Sequence, residues 1–285
     1  MALPALDLLA GSGSALTLVG KPWARDLFAA YPWPAVALTG SRVDRIRALR
    51  NGRHAAGLLL TNSFGSALEF RVSGIAAIGY ARDGRSWLLR RAVAVNASDH
   101  MVEYYHRLAA AYLGTSPPVP RALRLRLDEH ALQRGRDLLT LHCVTAEYVV
   151  LCPVAVGFHR GQFKAWNGFT RLTRELLAGG VAVVAMPGPA ETATVRSALP
   201  GAIVLPESDV ATFAAVLAGA RLVVANDSGP GHLAAAVGAR LISVFGVTEP
   251  EKTRPWSSSA TLIGSSRGWP AYEEVRIAVD AALGA

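Results

Sequence analysis

The chain has 285 residues, of which 51% are hydrophobic and 18% are charged. That length suffices for two modest α/β domains, and the composition excludes a disordered chain and allows a sizeable buried core. No apolar run reaches the roughly 20 residues of a membrane-spanning helix. No basic segment followed by an apolar one is present at the N-terminus, so we expect no signal peptide.

The net charge of +8 at pH 7 is unevenly distributed. Residues 1–145 carry 18 Lys and Arg against 10 Asp and Glu, whereas residues 146–285 carry 11 against 11. A basic half favours an anionic partner, such as nucleic acid, an anionic membrane surface or an acidic substrate, with a merely solvated basic surface as the alternative. No nucleic-acid-binding motif occurs, and the aromatic residues are not interleaved with the basic runs, so we expect no nucleic-acid partner.

The cysteines indicate the cellular compartment, and the cysteines and histidines together indicate whether the chain binds a metal. Two cysteines, Cys143 and Cys152, are typical of a cytosolic protein with reduced thiols. Neither they nor the seven histidines show the spacing of metal ligands, so we expect no metal site.

In the first half of the chain, short apolar runs alternate with helical patterns. We predict strands at 16–19, 36–38, 57–61 and 76–80, and helices at 24–31, 41–50, 67–72, 101–113 and 128–142. Asn62 and Ser63 directly follow the third strand. Ligands of parallel α/β sheets bind at loops of this kind, at the carboxyl ends of strands.

The second half alternates in the same way. We predict strands at 148–152, 181–186, 203–205, 222–225 and 241–245, and helices at 168–178, 191–198, 210–218, 231–237 and 273–283. Continuous apolar strands are typical of a parallel sheet covered on both faces. The sequence therefore predicts two Rossmann-like α/β domains with a cleft between them, residues 1–145 and residues 146–285.

The most informative segment is 223–236, in which an apolar strand runs through a glycine-rich turn into an alanine-rich helix. A helix N-terminus offers unpaired N–H groups and a partial positive charge, and glycines let the backbone approach an anion closely. This arrangement favours phosphate binding. Asp227 and His232 lie at the same turn and could shape the site.

Four blocks in the second half resemble a known family. They are KAW at 164–166, GPAE at 188–191, NDSGPGHLAA at 226–235 and FGVTEP at 245–250. In this order and spacing they resemble the signatures of glycosyltransferase family 9, the heptosyltransferases of bacterial lipopolysaccharide synthesis. Weaker matches at 1–6, 67–79 and 100–105 extend the resemblance over most of the chain. The resemblance implies the GT-B fold, with the donor held by the C-terminal domain and the acceptor by the N-terminal one.

The resemblance implies donor-binding roles for six residues: Lys164, Glu191, Asp227, Ser228, Gly229 and His232. Backbone N–H groups of the turn would hold the donor diphosphate, and Lys164 would act in catalysis by stabilising charge on the leaving phosphate. Glu191 would accept hydrogen bonds from the ribose. No paired-aspartate metal motif is present, and the family implies a metal-independent reaction without a cofactor. The structural alternatives are a solvated Lys164, a helix-capping Glu191 and a packing role for His232.

For the acceptor, the candidates are weaker: Asn62, Ser63, Arg82 and Arg85. Guanidinium groups suit carboxylates and phosphates, although solvated arginines are the alternative. The family implies ADP-heptose as the donor and an anionic lipopolysaccharide inner core resembling Kdo-lipid A as the acceptor, with inversion at the sugar. We therefore expect a cytoplasmic enzyme that contacts the inner membrane peripherally.

The chain departs from the family pattern at its beginning. The family has a first strand and a Gly-Asp motif, whose aspartate is the catalytic base, before the residues that 1–6 match, so we expect no base among residues 1–285. Either the true start lies upstream, or the chain is a truncated and catalytically inert nucleotide-sugar-binding protein. We favour the first because the other site residues are intact. The loop 154–160 also lacks the usual hydroxyl residues, for which His159 or Arg160 could substitute.

Overall fold

A computed structural model describes residues 1–155, 158–159, 162–163 and 165–284, with the backbone alone at the two short middle ranges. The chain divides into two compact units, Met1–Pro120 and Arg121–Ala285. None of the helices in the described residues combines the length and the apolar character that a membrane crossing requires.

Unit 1 alternates short strands and helices. In chain order its elements are α1 Leu3–Gly11, β1 Leu18–Gly20, α2 Trp23–Leu27, β2 Ala35–Ala37, α3 Arg42–Asn51, β3 Ala56–Leu59, α4 Phe64–Val72, β4 Ala76–Tyr80, a 3₁₀ turn Ser86–Leu88, β5 Arg91–Val93 and α5 Met101–Leu113. All the strand pairs described in this unit are parallel. They form two separate sheets, β1–β2 and β3–β4–β5, rather than one continuous sheet.

Local sequence sets the helix starts at the carboxyl ends of these strands. Ser41 caps α3 by accepting a hydrogen bond from the Asp44 N–H, while the Asp44 carboxylate accepts one from the Ser41 N–H. This reciprocal capping box satisfies N–H groups that a helix start leaves without intrahelical partners. Ser63 caps α4 through the Ser66 N–H. Each cap holds a loop close to the end of the preceding strand.

Unit 2 contains the larger sheet. Its elements are α6 Glu129–Leu141, β6 Tyr148–Cys152, β7 Phe158–His159, β8 Gln162–Phe163, α7 Phe169–Ala178, β9 Ala182–Ala185, α8 Thr192–Ala198, β10 Ile203–Val204, α9 Val210–Ala218, β11 Leu222–Asn226, α10 Gly229–Ala236, β12 Leu241–Phe245, α11 Pro250–Thr253, β13 Ala260–Gly264 and α12 Tyr272–Leu283. Six strands form one parallel sheet in the order β10–β9–β6–β11–β12–β13. In order along the chain, this is the 3-2-1-4-5-6 arrangement of a dinucleotide-binding fold.

Both faces of this sheet are buried, as the continuous apolar strands predict. Val149 and Leu151 pack with Leu172 in one core cluster, whereas Val150 packs with Val216 in the other. Because neighbouring residues of a strand point to opposite faces, a strand covered on both sides must be apolar throughout. The sheet thereby holds its carboxyl edge, where ligands of such folds bind, in a fixed geometry.

The two compact units divide before α6, earlier than the boundary between residues 145 and 146 expected from the sequence. The reason is that α6 packs closely on α9 of unit 2. A side chain at Gly135 would bring its Cβ within 2.8 Å of the Ala215 Cβ, so this glycine permits the close approach. The Arg134 guanidinium also donates to the Thr212 hydroxyl at 2.9 Å and to the Asp209 carboxylate at 3.3 Å. The expected boundary had placed this helix in the first domain.

Candidate functional site

The predicted phosphate-binding turn lies where strand order reverses in the unit 2 sheet. β11 pairs with β6 on one side, with Ala225 opposite Cys152, and with β12 on the other. The strand ends at Asn226, and Ser228 precedes the first residue of α10 in an extended conformation. This location is the topological switch point, outside the carboxyl ends of the first and fourth strands, where open α/β sheets bind their ligands.

The start of α10 presents backbone rather than side chains. Gly229 and Gly231 flank Pro230, which has no N–H of its own, and a Cβ built at Gly229 would meet no atom within 4 Å. The Ser228 hydroxyl donates to the Asn226 carbonyl at 3.1 Å. The first turn of a helix has N–H groups without intrahelical acceptors and a partial positive charge, so this open backbone can receive an anion.

The Asp227 carboxylate is buried and held by hydroxyl groups. It is 5% exposed, and its Oδ2 accepts a hydrogen bond from the Thr248 hydroxyl at 2.6 Å, with the Thr253 hydroxyl at 3.5 Å. Its Oδ1 lies 3.9 Å from Nε2 of His232 on the first turn of α10. Asp227 and His232 therefore lie close together at this turn.

Asn226, fully buried at the end of β11, connects the turn to the neighbouring strand β6. Its side-chain amide donates to the Pro153 carbonyl at 2.6 Å, and its Oδ1 accepts the Trp166 N–H at 3.0 Å. Pro153 and Trp166 lie on either side of the segment that carries Lys164. The Asn226 side chain thus holds the turn after β11 against the segment that follows β6.

Lys164, the predicted catalytic lysine, lies outside the described residues, as does Arg160, and only the backbone is described at His159. Trp166 from the same block is 3% exposed and stacks on Tyr272 with an interplanar angle of 7°. It serves as core packing.

Glu191 lies at the start of α8, after the loop that follows β9. Its Oε2 accepts the Gly188 N–H at 2.9 Å, and a Cβ at position 188 would come within 3.0 Å of that oxygen. The carboxylate therefore folds back on its own loop and is oriented by it. Burial, and after it the negative charge of Glu191, raises the pKa of the Cys152 thiol at the end of β6 to about 12.

An apolar recess of about 190 Å³ adjoins this region between α7 and α8, and it is lined by Pro153, Val154, Ala165, Trp166, Asn167, Phe169, Thr170, Thr194 and Ala198. Neither Glu191 nor Asp227 lines it. We therefore place the candidate donor site at the strand ends rather than in this recess.

In unit 1, the acceptor candidates Asn62 and Ser63 follow β3 and begin α4. The Asn62 side-chain oxygen accepts hydrogen bonds from the Tyr104 hydroxyl at 2.9 Å and from the Arg85 guanidinium at 3.2 Å. These two donors fix the amide so that its NH₂ group points away from them. The Tyr104 ring stacks on Tyr80 at 3.8 Å between centroids, and its backbone carbonyl accepts the Tyr80 hydroxyl.

The structure assigns Arg85 a role different from the predicted acceptor contact. Its side chain is fully buried and donates to the carbonyl groups of Tyr80 and Thr61 as well as to Asn62. Burial lowers the pKa of its guanidinium from the usual value. A buried guanidinium with these partners supports the loop that carries Asn62 and cannot reach a ligand in solution. Arg82 is exposed and stays a candidate.

Three contributors to these sites were missed by sequence reasoning: Asn226, Thr248 and Tyr104. Thr248 belongs to the FGVTEP block, so the block contained its signal, but its hydrogen bond to Asp227 spans 21 positions. Tyr104 and Asn62 are 42 positions apart. Hydrogen bonds between residues so far apart in the chain depend on how strands and helices pack, and a local sequence pattern does not predict them.

Comparisons with known proteins identify the family to which the chain belongs. Residues 42–278 match the model of glycosyltransferase family 9 (heptosyltransferase). The chain is similar to lipopolysaccharide heptosyltransferase 1 of Pseudomonas aeruginosa, at 48% identity over 67 residues that span 24% of this chain and 19% of that protein. It is also similar to lipopolysaccharide heptosyltransferase 2 of Escherichia coli K12, at 27% identity over 257 residues that span 83% of this chain and 72% of that protein.

A solved structure shows the shared fold. The structure of E. coli ADP-heptose lps heptosyltransferase II matches with a TM-score of 0.79 at 23% identity, over 99% of this chain and 93% of that one. The fold class is therefore GT-B, built from two Rossmann-like units, as the sequence predicted. The family model covers most of the chain, and the chain belongs to glycosyltransferase family 9, the heptosyltransferase family.

Proposed function

We propose that this protein is a glycosyltransferase that moves heptose from ADP-heptose to the inner core of lipopolysaccharide. The observation that carries the proposal is the turn at Asp227 and Gly229, which combines a buried acid with an open helix N-terminus at the switch point of the sheet. This turn belongs to the segment that matches the heptosyltransferase family.

The donor diphosphate would bind the first turn of α10. The backbone near Gly229 is open, and the helix dipole favours a negative group there. His232 and Ser228 flank this position. The Asp227 carboxylate would repel a phosphate, so we assign it to the hydroxyl groups of the donor sugar. Thr248 supports that role because its hydroxyl holds one carboxylate oxygen and leaves Oδ1 turned toward His232.

The ribose of the donor would bind Glu191. Its Oε2 is occupied by the Gly188 N–H, which orients Oε1 for a ligand hydroxyl. A fixed carboxylate loses less side-chain freedom on binding than a solvated one. The sequence leaves two roles open for Glu191, ribose binding and capping a helix. The two are compatible, because Glu191 lies at the start of α8 and also orients its own loop.

The proposed reaction is a single displacement with inversion. The acceptor hydroxyl oxygen attacks the anomeric carbon, the bond from that carbon to the diphosphate oxygen breaks with its electron pair, and ADP leaves. The N-terminus of α10 and Lys164 would stabilise the charge that grows on the leaving phosphate, in place of a metal ion. The hydroxyl proton passes to a base, and we assign that role to no residue among 1–285.

The acceptor would bind unit 1. The Asn62 amide is oriented by Arg85 and Tyr104, and exposed Arg82 can pair with an anionic group. These features suit an acceptor that carries both hydroxyl groups and carboxylates or phosphates, as a Kdo-lipid A core does. A lipid-linked acceptor in turn implies a cytoplasmic enzyme that contacts the inner membrane peripherally.

The test is to measure binding and transfer side by side. Calorimetry with ADP-heptose reports binding, with UDP-glucose as the control donor, and product formation on deacylated Kdo-lipid A reports chemistry. We expect binding and transfer that are selective for ADP-heptose. Binding without transfer would instead support a catalytically inert nucleotide-sugar-binding protein. Failure of ADP-heptose to bind would refute the proposed donor.

A further inference from the structure

Residues 269–272, which lead from β13 into α12, contact the segments that follow two other strands of the unit 2 sheet. They lie outside the four motif blocks, and we call them the support segment. The contacted segments follow β6 and β12, which are the two neighbours of β11 in the sheet. The turn that carries Asp227 follows β11 itself, so the support segment holds the chain on both sides of that turn.

The first contact joins Trp269 to Gly246, the residue directly after β12. A Cβ at position 246 would come within 2.1 Å of the Trp269 indole ring, so the ring lies directly on the glycine backbone. Thr248 is two residues further along, and its hydroxyl donates to Oδ2 of Asp227 at 2.6 Å. The backbone on which Trp269 rests is therefore the one that carries the Thr248 hydroxyl.

The second contact joins Tyr272 to Trp166, in the segment after β6. The two rings are nearly parallel, with 6.0 Å between their centroids, and the Trp166 indole N–H donates to the Pro270 carbonyl at 3.3 Å. The backbone N–H of Trp166 in turn donates to Oδ1 of Asn226 at 3.0 Å. Asn226 directly precedes Asp227, so this second contact also leads to the acid of the donor site.

The Tyr272 ring is itself fixed by α7. The Arg171 guanidinium lies 3.8 Å from the centre of the ring, and the Tyr272 hydroxyl donates to Oε2 of Glu175 at 2.7 Å. A ring with these partners has little freedom to move, so it can hold Trp166 in one position.

We propose that Trp269 and Tyr272 are positioning residues that hold the Asp227 carboxylate where the sugar of the donor binds. Hydrogen bonds weaken steeply when their geometry is distorted, so a small displacement of Asp227 would weaken its contact with a sugar hydroxyl. ADP lacks the transferred sugar and would not report this displacement. The proposal rests on the proposed function, which assigns Asp227 to the hydroxyl groups of the donor sugar.

The first experiment is calorimetry of the full chain with ADP-heptose and, separately, with ADP. Trp269→Leu and Tyr272→Leu should each lower the affinity for ADP-heptose by about tenfold and the affinity for ADP far less. Tyr272→Phe keeps the ring and should keep the wild-type ratio of the two affinities. The matched control is Tyr148→Leu, which removes a buried ring from the opposite end of β6 and should also leave that ratio unchanged.

The second experiment needs no donor and measures the free energy of unfolding in urea. If Trp269 holds the Thr248 hydrogen bond in place, Trp269→Leu/Thr248→Val should lose less stability than the two single losses added together. Tyr148→Leu/Thr248→Val should show additive losses, because these two residues lie at opposite ends of the sheet strands.

Two results would overturn the proposal. One is an equal loss of affinity for ADP and ADP-heptose in Trp269→Leu and Tyr272→Leu, since a general loosening of the fold weakens both. The other is additive loss of stability in Trp269→Leu/Thr248→Val. Failure of the wild type to bind ADP-heptose would count against the proposed function alone, because the unfolding measurement still tests how Trp269 supports Asp227.

Discussion

Replacing Thr248 by Val tests how the buried acid of the donor site is held. The substitution keeps the side-chain volume and removes the hydroxyl that donates to Oδ2 of Asp227 at 2.6 Å, where the two residues are 6% and 5% exposed. Hydrogen bonds to charged groups contribute about 1.5–3 kcal/mol, and loss of the donor leaves the carboxylate oxygen buried. We expect the free energy of unfolding to fall by about 2 kcal/mol.

The assay is differential scanning calorimetry, with ADP-heptose affinity measured on the same samples. A loss of about 2 kcal/mol lowers the melting temperature by about 4–8 °C for a unit of this size. The matched control is Thr253→Val, whose hydroxyl lies 3.5 Å from the same oxygen and also donates to the Glu249 carbonyl. That variant should change the stability far less. Equal melting temperatures for Thr248→Val and Thr253→Val would refute the reasoning.

Three further predictions concern the framework of the site. Asn226→Leu should lower the free energy of unfolding in urea by roughly 2–4 kcal/mol, because it removes the hydrogen bonds to the Pro153 carbonyl and the Trp166 N–H. An unchanged free energy of unfolding would mean that water replaces both hydrogen bonds. Ala190 has φ of +62°, so Ala190→Val should destabilise by about 1–2 kcal/mol while Ala190→Gly should not, and the reverse order would contradict this backbone geometry. Burial raises the pKa of Cys152 to about 12, whereas Cys143 is exposed, so a thiol reagent at pH 8 should label Cys143 alone until the protein is unfolded.

Much of unit 2 could be predicted because its strands are buried on both faces. The predicted strands 148–152 and 241–245 coincide with β6 and β12. The edge strand Ala260–Gly264 was missed, since its residues are only partly buried or exposed and do not form an apolar run. In unit 1, Arg91–Val93 was missed for the same reason. Prediction therefore succeeded for strands that are continuous apolar runs and missed these two partly exposed strands.

Some residues of the candidate sites could be predicted from a local motif, whereas others could not. Asp227, Gly229 and His232 are neighbours in the chain, so a local motif was enough to bring them together. Arg85 was expected at the surface because arginine usually is, but carbonyl groups of two separate segments enclose it. The supporting contacts of Thr248 depend on the packing of distant elements, and a single sequence does not reveal them.

The most direct test of the account is the dissociation constant of ADP-heptose for Gly229→Ala, measured by calorimetry beside the wild type and Gly11→Ala. A Cβ at either glycine meets nothing within 4 Å, so neither variant loses or strains an internal contact. If the donor diphosphate packs on the start of α10, Gly229→Ala alone should weaken binding, by about tenfold for a loss near 1.4 kcal/mol. Affinity equal to that of the wild type and Gly11→Ala would contradict donor binding at this turn.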